Sequence, residues 1–331
     1  MHVHLENYSA KPRVFWLTPG LARAARRSHP GLEVRFTVGE DLRGLEKRLA
    51  TARVLVTSSD VIRDARFPRG QLAQAAPQLR LVHLIGAGVE GVLPLDWLPP
   101  TVRLTNNSGV HVGKAREFVL MALLALNARL PAVVANQRLA RWEQIFTPSI
   151  RGKTLAVLGL GDMGRAAVAA GRQLGLRVVG VRRTGRPVPG VERVYRAARL
   201  RSALKGADFL VIAAPLTAQS ANLVDRSALQ AMKRGAGVVN FGRAGLLDHE
   251  ALVELLASGH LGGAILDVLP AEPLPSASPL WSAPNLIVHP HVSSDDADRY
   301  MLDTMSLVCR NVARLRAGRA LENVVDPDHG Y

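Results

Sequence analysis

Gly159, Gly161 and Gly164 stand between an apolar run, Thr154 to Leu158, and a helix-forming stretch from about Met163 to Leu174. A strand that passes into a helix through G-x-G-x-x-G can hold a dinucleotide. The first glycine permits the tight turn, the second lets backbone approach a pyrophosphate, and the third lets the helix pack on the strand. The N–H groups around Leu160, Asp162 and Met163, with the positive end of the helix dipole, are then placed to hold phosphate. Three glycines alone are a weak match, since a glycine-rich structural turn looks the same. Here Gly175 can cap the helix and a second strand, Arg177 to Val181, follows. At the end of that second strand an NAD enzyme places an acidic residue on the ribose 2′-hydroxyl. This chain has Arg182 there, 23 residues after Gly159, followed by Arg183 and Thr184. Arginine forks bind phosphate through paired hydrogen bonds, so NADP(H) is favoured over NAD(H), against the alternative of merely solvated arginines.

Three more segments bring chemistry-bearing residues to presumed strand ends. Val238 to Asp248 is an apolar strand running into a turn that presents Arg243. Gly263 to Pro273 is a strand delivering Asp267 and then Glu272. Ile287 to Ser293 offers His291 after a turn fixed by Pro290. Open α/β sheets bind ligands at such carboxyl ends. Taken singly, each residue has a plainer reading: a surface ion pair for Arg243, a turn for Glu272, and a packed ring for His291 or its neighbour His289.

The elements that must position these residues alternate short β-branched runs with helical stretches. The runs are Val14 to Leu17, Val54 to Thr57, Leu81 to Ile85, Thr154 to Leu158, Val178 to Val181, Phe209 to Ala213, Gly237 to Phe241 and Gly263 to Val268. Buried parallel strands have this character, and the fold class is α/β with two Rossmann-like, doubly wound domains. Glu117 to Arg129 reads as a long connecting helix ended by Pro131, after a hinge at Ser108 to Lys114. A final helix is expected over Arg299 to Arg316, and Pro327 to Tyr331 reads as an exposed tail. The expected organisation is a discontinuous substrate-binding domain, 1–110 with 293–331, and an inserted dinucleotide-binding domain, 111–292.

The chain's 331 residues suit two domains of ordinary size. The longest apolar run, Phe118 to Leu126, is far short of a membrane span of roughly 20 residues, and the polar N-terminus carries no secretory h-region. One cysteine, Cys309, excludes an internal disulfide and reads as a small buried apolar residue. A cytoplasmic protein without membrane partners is expected. The net charge of +15 raises nucleic-acid binding. The charge is spread over scattered arginines, however, with only 6 lysines among 42 basic residues and no run of five or six like charges. That pattern argues against a nucleic-acid partner and leaves attraction of small anions as a use for it. No Asp/His cluster has metal-ligand spacing, so no metal is expected.

Together, the glycine loop and the three strand-end segments strongly resemble the D-isomer-specific 2-hydroxyacid dehydrogenase family. Further segments in keeping are Gly86 to Gly91, Thr105 to Val110, Pro215 to Thr217 and Met232 to Ala236. The ending Asn323 to Tyr331, with the arginine-rich strand end, looks most like the glyoxylate/hydroxypyruvate reductase A branch. The resemblance implies reduction of a small anionic 2-keto acid, with hydride from nicotinamide C4 and a proton from His291. Histidine suits that role because it titrates near neutrality as a rule. It further implies that Glu272 pairs with His291 and that Arg243 grips the substrate carboxylate and polarises the carbonyl. Backbone N–H groups of Ala87, Gly88 and Val89 would hold that carboxylate too. Pro215 would line the cofactor site, and Asp267 would orient the nicotinamide amide. The family arginine is followed by glycine; here Ala244 follows, tolerable if its φ is negative.

In related reductases an aromatic near Trp142 reaches the neighbouring subunit's substrate site, and dimers form around the preceding helix. A homodimer is therefore expected, with plain interface packing as the alternative for Trp142. Formate dehydrogenases of this fold pair their histidine with glutamine, so Glu272 argues against that activity. A phosphite-type dehydrogenase, or a nicotinamide-responsive regulatory protein, stays open at this point.

Overall fold

The computed structural model describes residues 1–326; the tail read at 327–331 lies outside the described residues. The chain divides into two compact units, one formed by Met1–His111 with the chain from Asp296 onward, the other by Val112–Asp295.

The first unit carries a five-stranded parallel sheet of β1 (His2–Asn7), β2 (Arg35–Glu40), β3 (Val54–Thr57), β4 (Leu81–Leu84) and β5 (Arg103–Thr105), in the order β2-β1-β3-β4-β5. Helix α1 (Pro19–Ser28) starts at Thr18, whose side chain accepts from the Leu21 N–H. It packs beside the terminal helix Tyr300–Arg316, which buries Met305, Val308 and Cys309. Burial pushes the Cys309 thiol up to about 11, which keeps it an inert apolar residue.

One of the sequence expectations fails here. Val14 to Leu17 is not a strand; Arg13–Phe15 forms a single 3₁₀ turn. The first strand is β1, whose alternation of His2, His4 and Glu6 with apolar residues hides it from a search for apolar runs. Sheet pairing rescues those polar groups. His4 Nε2 donates to Glu6 Oε2 at 2.7 Å with both side chains fully buried, and Thr37 of β2 bonds His4 and His2. A buried polar group is tolerable when every partner is supplied, as here.

His83 in β4 is the other buried histidine. Asn107 Oδ1 can only accept, so Nε2 carries the proton and donates to it at 3.4 Å, while Nδ1 accepts from the Thr105 hydroxyl at 2.9 Å. Burial, only partly opposed by the Asn107 bond, holds this ring down to about 4. An unfolded histidine takes a proton near pH 6.5, so the unfolded state binds more protons throughout that window and stability is lost as pH falls from 6.5 to 4. The loss attributable to this ring is about 3 kcal/mol. Urea unfolding of His83→Gln should show a flatter pH dependence than wild type over that window; parallel curves would contradict it.

The second unit holds a seven-stranded, all-parallel sheet. Its strands are β6 (Thr154–Leu158), β7 (Arg177–Arg182), β8 (Arg193–Arg196), β9 (Phe209–Ile212), β10 (Ala236–Asn240), β11 (Leu261–Leu266) and β12 (Leu286–Val288), ordered β12-β11-β10-β9-β6-β7-β8. Apolar clusters cover both faces, one around Leu158, Leu210, Val238 and Leu266, the other around Val157, Val211, Val239 and Ile265. Alternate residues of each strand serve opposite faces, which is why these strands read as continuous apolar runs.

Helix α2 (Val112–Asn127) begins five residues before the expected start and ends at a left-handed Arg129, φ 57°. Pro131 does not terminate the helical region; it sits in the first turn of α3 (Leu130–Arg138), where its missing N–H is no loss. Among the described residues, no single helix is long and apolar enough to cross a membrane.

Candidate active site

The carboxyl ends of β12, β11, β10, β9, β6 and β7 lie side by side, and each is followed by residues singled out above. Adjacent strands are spaced about 4.8 Å apart, so the three ends bearing His291, Glu272 and Arg243 span on the order of 10 Å.

After β6 the chain turns at Gly159 (φ 90°) and enters α4 (Asp162–Gln173). A Cβ on Gly159 would lie 2.6 Å from backbone of Ala214, and one on Gly164 only 1.8 Å from the Gly159 carbonyl oxygen. Strand–turn–helix packing therefore dictates both glycines. Gly161 differs: a Cβ there would meet nothing within 4 Å, and as N-cap it offers α4 no side-chain cap. Space and uncapped N–H groups at the start of a 12-residue helix fit the pyrophosphate of a dinucleotide. The Leu160 side chain is buried against Gly180, so only its backbone can serve a ligand; Met163 is packed on the same core. Pro215, exposed after β9, sits in a turn whose Ser220 hydroxyl donates to its carbonyl at 2.8 Å.

Arg182 is the last residue of β7 and half-buried, whereas Arg183 and Thr184 are exposed. Neither arginine has an ion-pair partner among the described residues. Gly185 (φ 65°) turns the chain back immediately afterwards. Arginines at a strand end without carboxylate partners are available to an anion.

After β10 the buried Asn240 shapes the turn that presents Arg243. Its Nδ2 donates to the Arg243 carbonyl at 3.1 Å, and its Oδ1 accepts from the Gly242 N–H at 3.2 Å. Arg243 itself donates to the Gly242 carbonyl at 2.7 Å. Ala244 is not among the residues with positive φ, so its methyl group is accommodated. Asn240 was not picked out from the sequence, where one polar residue ending an apolar strand carries no sign of its two bonds.

After β11 and β12 the structure brings Glu272 and His291 together. His291 Nδ1 donates to Glu272 Oε2 at 2.6 Å, and Glu272 Oε1 accepts from the Leu269 N–H at 3.0 Å. Both carboxylate oxygens are thereby oriented. The His291 side chain is 50% exposed and no bond to its Nε2 is made by the described residues. His291 also holds a left-handed backbone, φ 53°, a conformation uncommon for non-glycine residues.

Asp267, expected to orient the nicotinamide amide, has a second role that the sequence does not show: its buried side chain accepts four hydrogen bonds from within the chain. Oδ1 accepts from His289 Nδ1 at 2.6 Å and from the Val292 and Ser293 N–H groups at 3.0 and 3.1 Å; Oδ2 accepts from the Ser293 hydroxyl at 2.5 Å. Asp267 thus clamps the loop on both sides of His291. Burial pushes its carboxyl up, but the bonds from His289 and Ser293 outweigh that and hold it below the ordinary carboxylate value. The folded pKa is depressed, so the clamp is fully formed above the ordinary range near 4 and is lost only as pH falls below it. A misplacement of about 1 Å can cost about 10²-fold in rate. Asp267→Asn is accordingly expected to lower kcat by about that factor and to speed amide hydrogen exchange at Val292 and Ser293. Unchanged exchange would show that the clamp does not hold the loop.

Two further sets of expected site residues lie elsewhere in the chain. Trp142 is 94% exposed in an irregular stretch after α3, with Phe146 at 86%, so its own unit gives it almost no contact. Ala87, Gly88 and Val89 belong to the first unit, after β4, where Asn106 Nδ2 donates to the Ala87 carbonyl at 2.8 Å and Val89 is buried.

Residues 120–293, more than half of the chain, match the family model described as D-isomer specific 2-hydroxyacid dehydrogenase, NAD binding domain. The chain belongs to the D-isomer specific 2-hydroxyacid dehydrogenase family. It is similar to a member from Xanthobacter autotrophicus Py2 solved in complex with NADPH and MES, with TM-score 0.82, 30% identity and 99% of each chain covered. It is also similar to an NADPH-dependent glyoxylate/hydroxypyruvate reductase from Sinorhizobium meliloti solved with NADP and sulfate, with TM-score 0.79, 28% identity and all of both chains covered. Glyoxylate/hydroxypyruvate reductase A of Yersinia enterocolitica is 26% identical over 92% of this chain and 98% of its own. Against the 30%-identical D-3-phosphoglycerate dehydrogenase of Mycobacterium tuberculosis, the chain spans about half the relative's length. This family member is thus an oxidoreductase of the glyoxylate/hydroxypyruvate reductase type of fold, with a nicotinamide-cofactor domain.

Proposed function

We propose that this enzyme reduces small 2-keto acids of the glyoxylate/hydroxypyruvate class and prefers NADP(H). The observation that carries this reading is the 2.6 Å Glu272–His291 pair, with Nε2 of an exposed ring turned to no protein partner. Bound reduced nicotinamide supplies hydride from C4. His291 gives its Nε2 proton to the carbonyl oxygen as that oxygen gains charge, and the Glu272 carboxylate holds the ring through Nδ1. Arg243 binds the substrate carboxylate and polarises the carbonyl, with the backbone of Ala87 to Val89 as a second carboxylate hold. Arg182 and Arg183 take the 2′-phosphate, and the Gly159 to Gly164 loop takes the pyrophosphate. Two relatives of known structure were solved with NADPH or NADP, which supports the cofactor preference.

The reading includes a cytoplasmic homodimer. Trp142, Phe146, Leu139, Val133 and Met121 are apolar yet exposed on or beside α2 and α3. Apolar side chains left exposed in this number are in keeping with an association face. The proposal is tested by following NADPH consumption with a panel of glyoxylate, hydroxypyruvate, a bulky 2-keto acid, and phosphite with NADP. The two small keto acids should give the highest kcat/KM; turnover of phosphite alone would overturn the assignment.

A further inference from the structure

Strand register brings two arginines that are far apart in sequence side by side. In the first unit, the N–H of Arg53 bonds the His2 carbonyl and that of Arg80 bonds the Arg53 carbonyl, so the residues just before β3 and β4 stand side by side. Residues in register on adjacent parallel strands project to the same face. Arg53 and Arg80 line a cavity of about 520 Å³ with Met1, Leu315 and Arg316, the last from the end of the terminal helix. It lies at the amino ends of the strands, the end opposite the Gly86 to Val89 loop.

The charges in it are poorly compensated. Arg53 makes no ion pair among the described residues, and Arg80 donates only to the Pro77 and Leu79 carbonyls. Arg316 lies 3.5 Å from Glu33, whose side chain is 88% exposed and so contributes little. Cations in the last turn of a helix complement its dipole, which accounts for Arg316. It does not account for Arg53 and Arg80, which begin strands. Three guanidinium groups around one open cavity repel each other, and a multivalent anion relieves that repulsion while accepting paired hydrogen bonds from each fork.

We propose that this cavity is a binding site for an oligophosphate anion, separate from the strand-end site of the second unit. The cavity is large enough for a chain of two or three phosphoryl groups, and three forks favour such a chain over a monovalent anion. Free oligophosphate and the phosphate chain of a nucleotide share this chemistry.

Calorimetric titration at constant ionic strength, with the enzyme saturated in NADPH, tests it using tripolyphosphate and ATP as probes. Saturable binding of tripolyphosphate is expected, weakened at least tenfold in Arg53→Gln/Arg80→Gln and also in Arg316→Gln, which disrupts the cavity from a different element. Arg182→Asp should leave it unchanged. Tighter binding of ATP than of tripolyphosphate would identify a nucleotide as the source, and the reverse would identify the free anion. No binding to wild type, equal affinity in both cavity variants, or displacement by an oligonucleotide that binds more tightly would overturn the proposal.

Discussion

His291→Ala is expected to lower kcat by roughly 10² to 10⁴, the range a positioned general acid supplies, and to leave NADPH affinity nearly unchanged. The selectivity follows from where the ring sits. His291 is held by Glu272 from β11 and by the loop after β12, whereas the glycine loop and Arg182 follow β6 and β7, on the far side of β10 and β9. Glu272→Gln keeps a hydrogen-bond acceptor beside Nδ1 but removes its charge. It should therefore lose less than His291→Ala. The measurement is steady-state turnover of hydroxypyruvate alongside NADPH binding by fluorescence. A parallel fall in NADPH affinity would make His291 a structural residue.

Replacing Arg182 by Asp should lower the ratio of kcat/KM with NADPH to that with NADH by about 10- to 100-fold. Hydrogen bonds to a charged group contribute about 1.5–3 kcal/mol, and the incoming carboxylate repels a 2′-phosphate while accepting from a 2′-hydroxyl. Arg182 should matter more than Arg183, since it is half-buried at the end of β7 and its guanidinium starts from an anchored backbone. Kinetics with both cofactors at fixed hydroxypyruvate measure the ratio for wild type, Arg182→Asp and Arg183→Asp. A wild-type preference for NADH would show that the cationic strand end reads no phosphate.

The parts legible in the sequence were those written locally. Seven of the apolar runs named beforehand are strands, because apolar residues on both faces of each are buried. Gly159 and Gly164 could be read because their roles belong to one strand–turn–helix unit. Strand β1 could not, since His4 and Glu6 become acceptable inside a sheet only through partners on β2 and one another. The loop-holding bonds of Asp267 were hidden for a similar reason. Its four bonds reach 22 to 26 residues along the chain, and spacing alone does not reveal that a carboxylate is already satisfied. Trp142 shows the converse, an exposed aromatic to which its own unit gives almost no contact. Nor does the sequence show that the register of β3 and β4 sets Arg53 beside Arg80, 27 positions apart.

The most direct test is a single turnover: enzyme preloaded with one equivalent of NADPH is mixed with excess hydroxypyruvate, and nicotinamide absorbance is followed. Wild type should consume the full equivalent in one rapid phase, and His291→Ala should consume it at least a hundredfold more slowly from an equally loaded complex. Wild-type enzyme that holds NADPH and leaves it unoxidised by hydroxypyruvate and glyoxylate alike would contradict the assignment of these strand ends to keto-acid reduction.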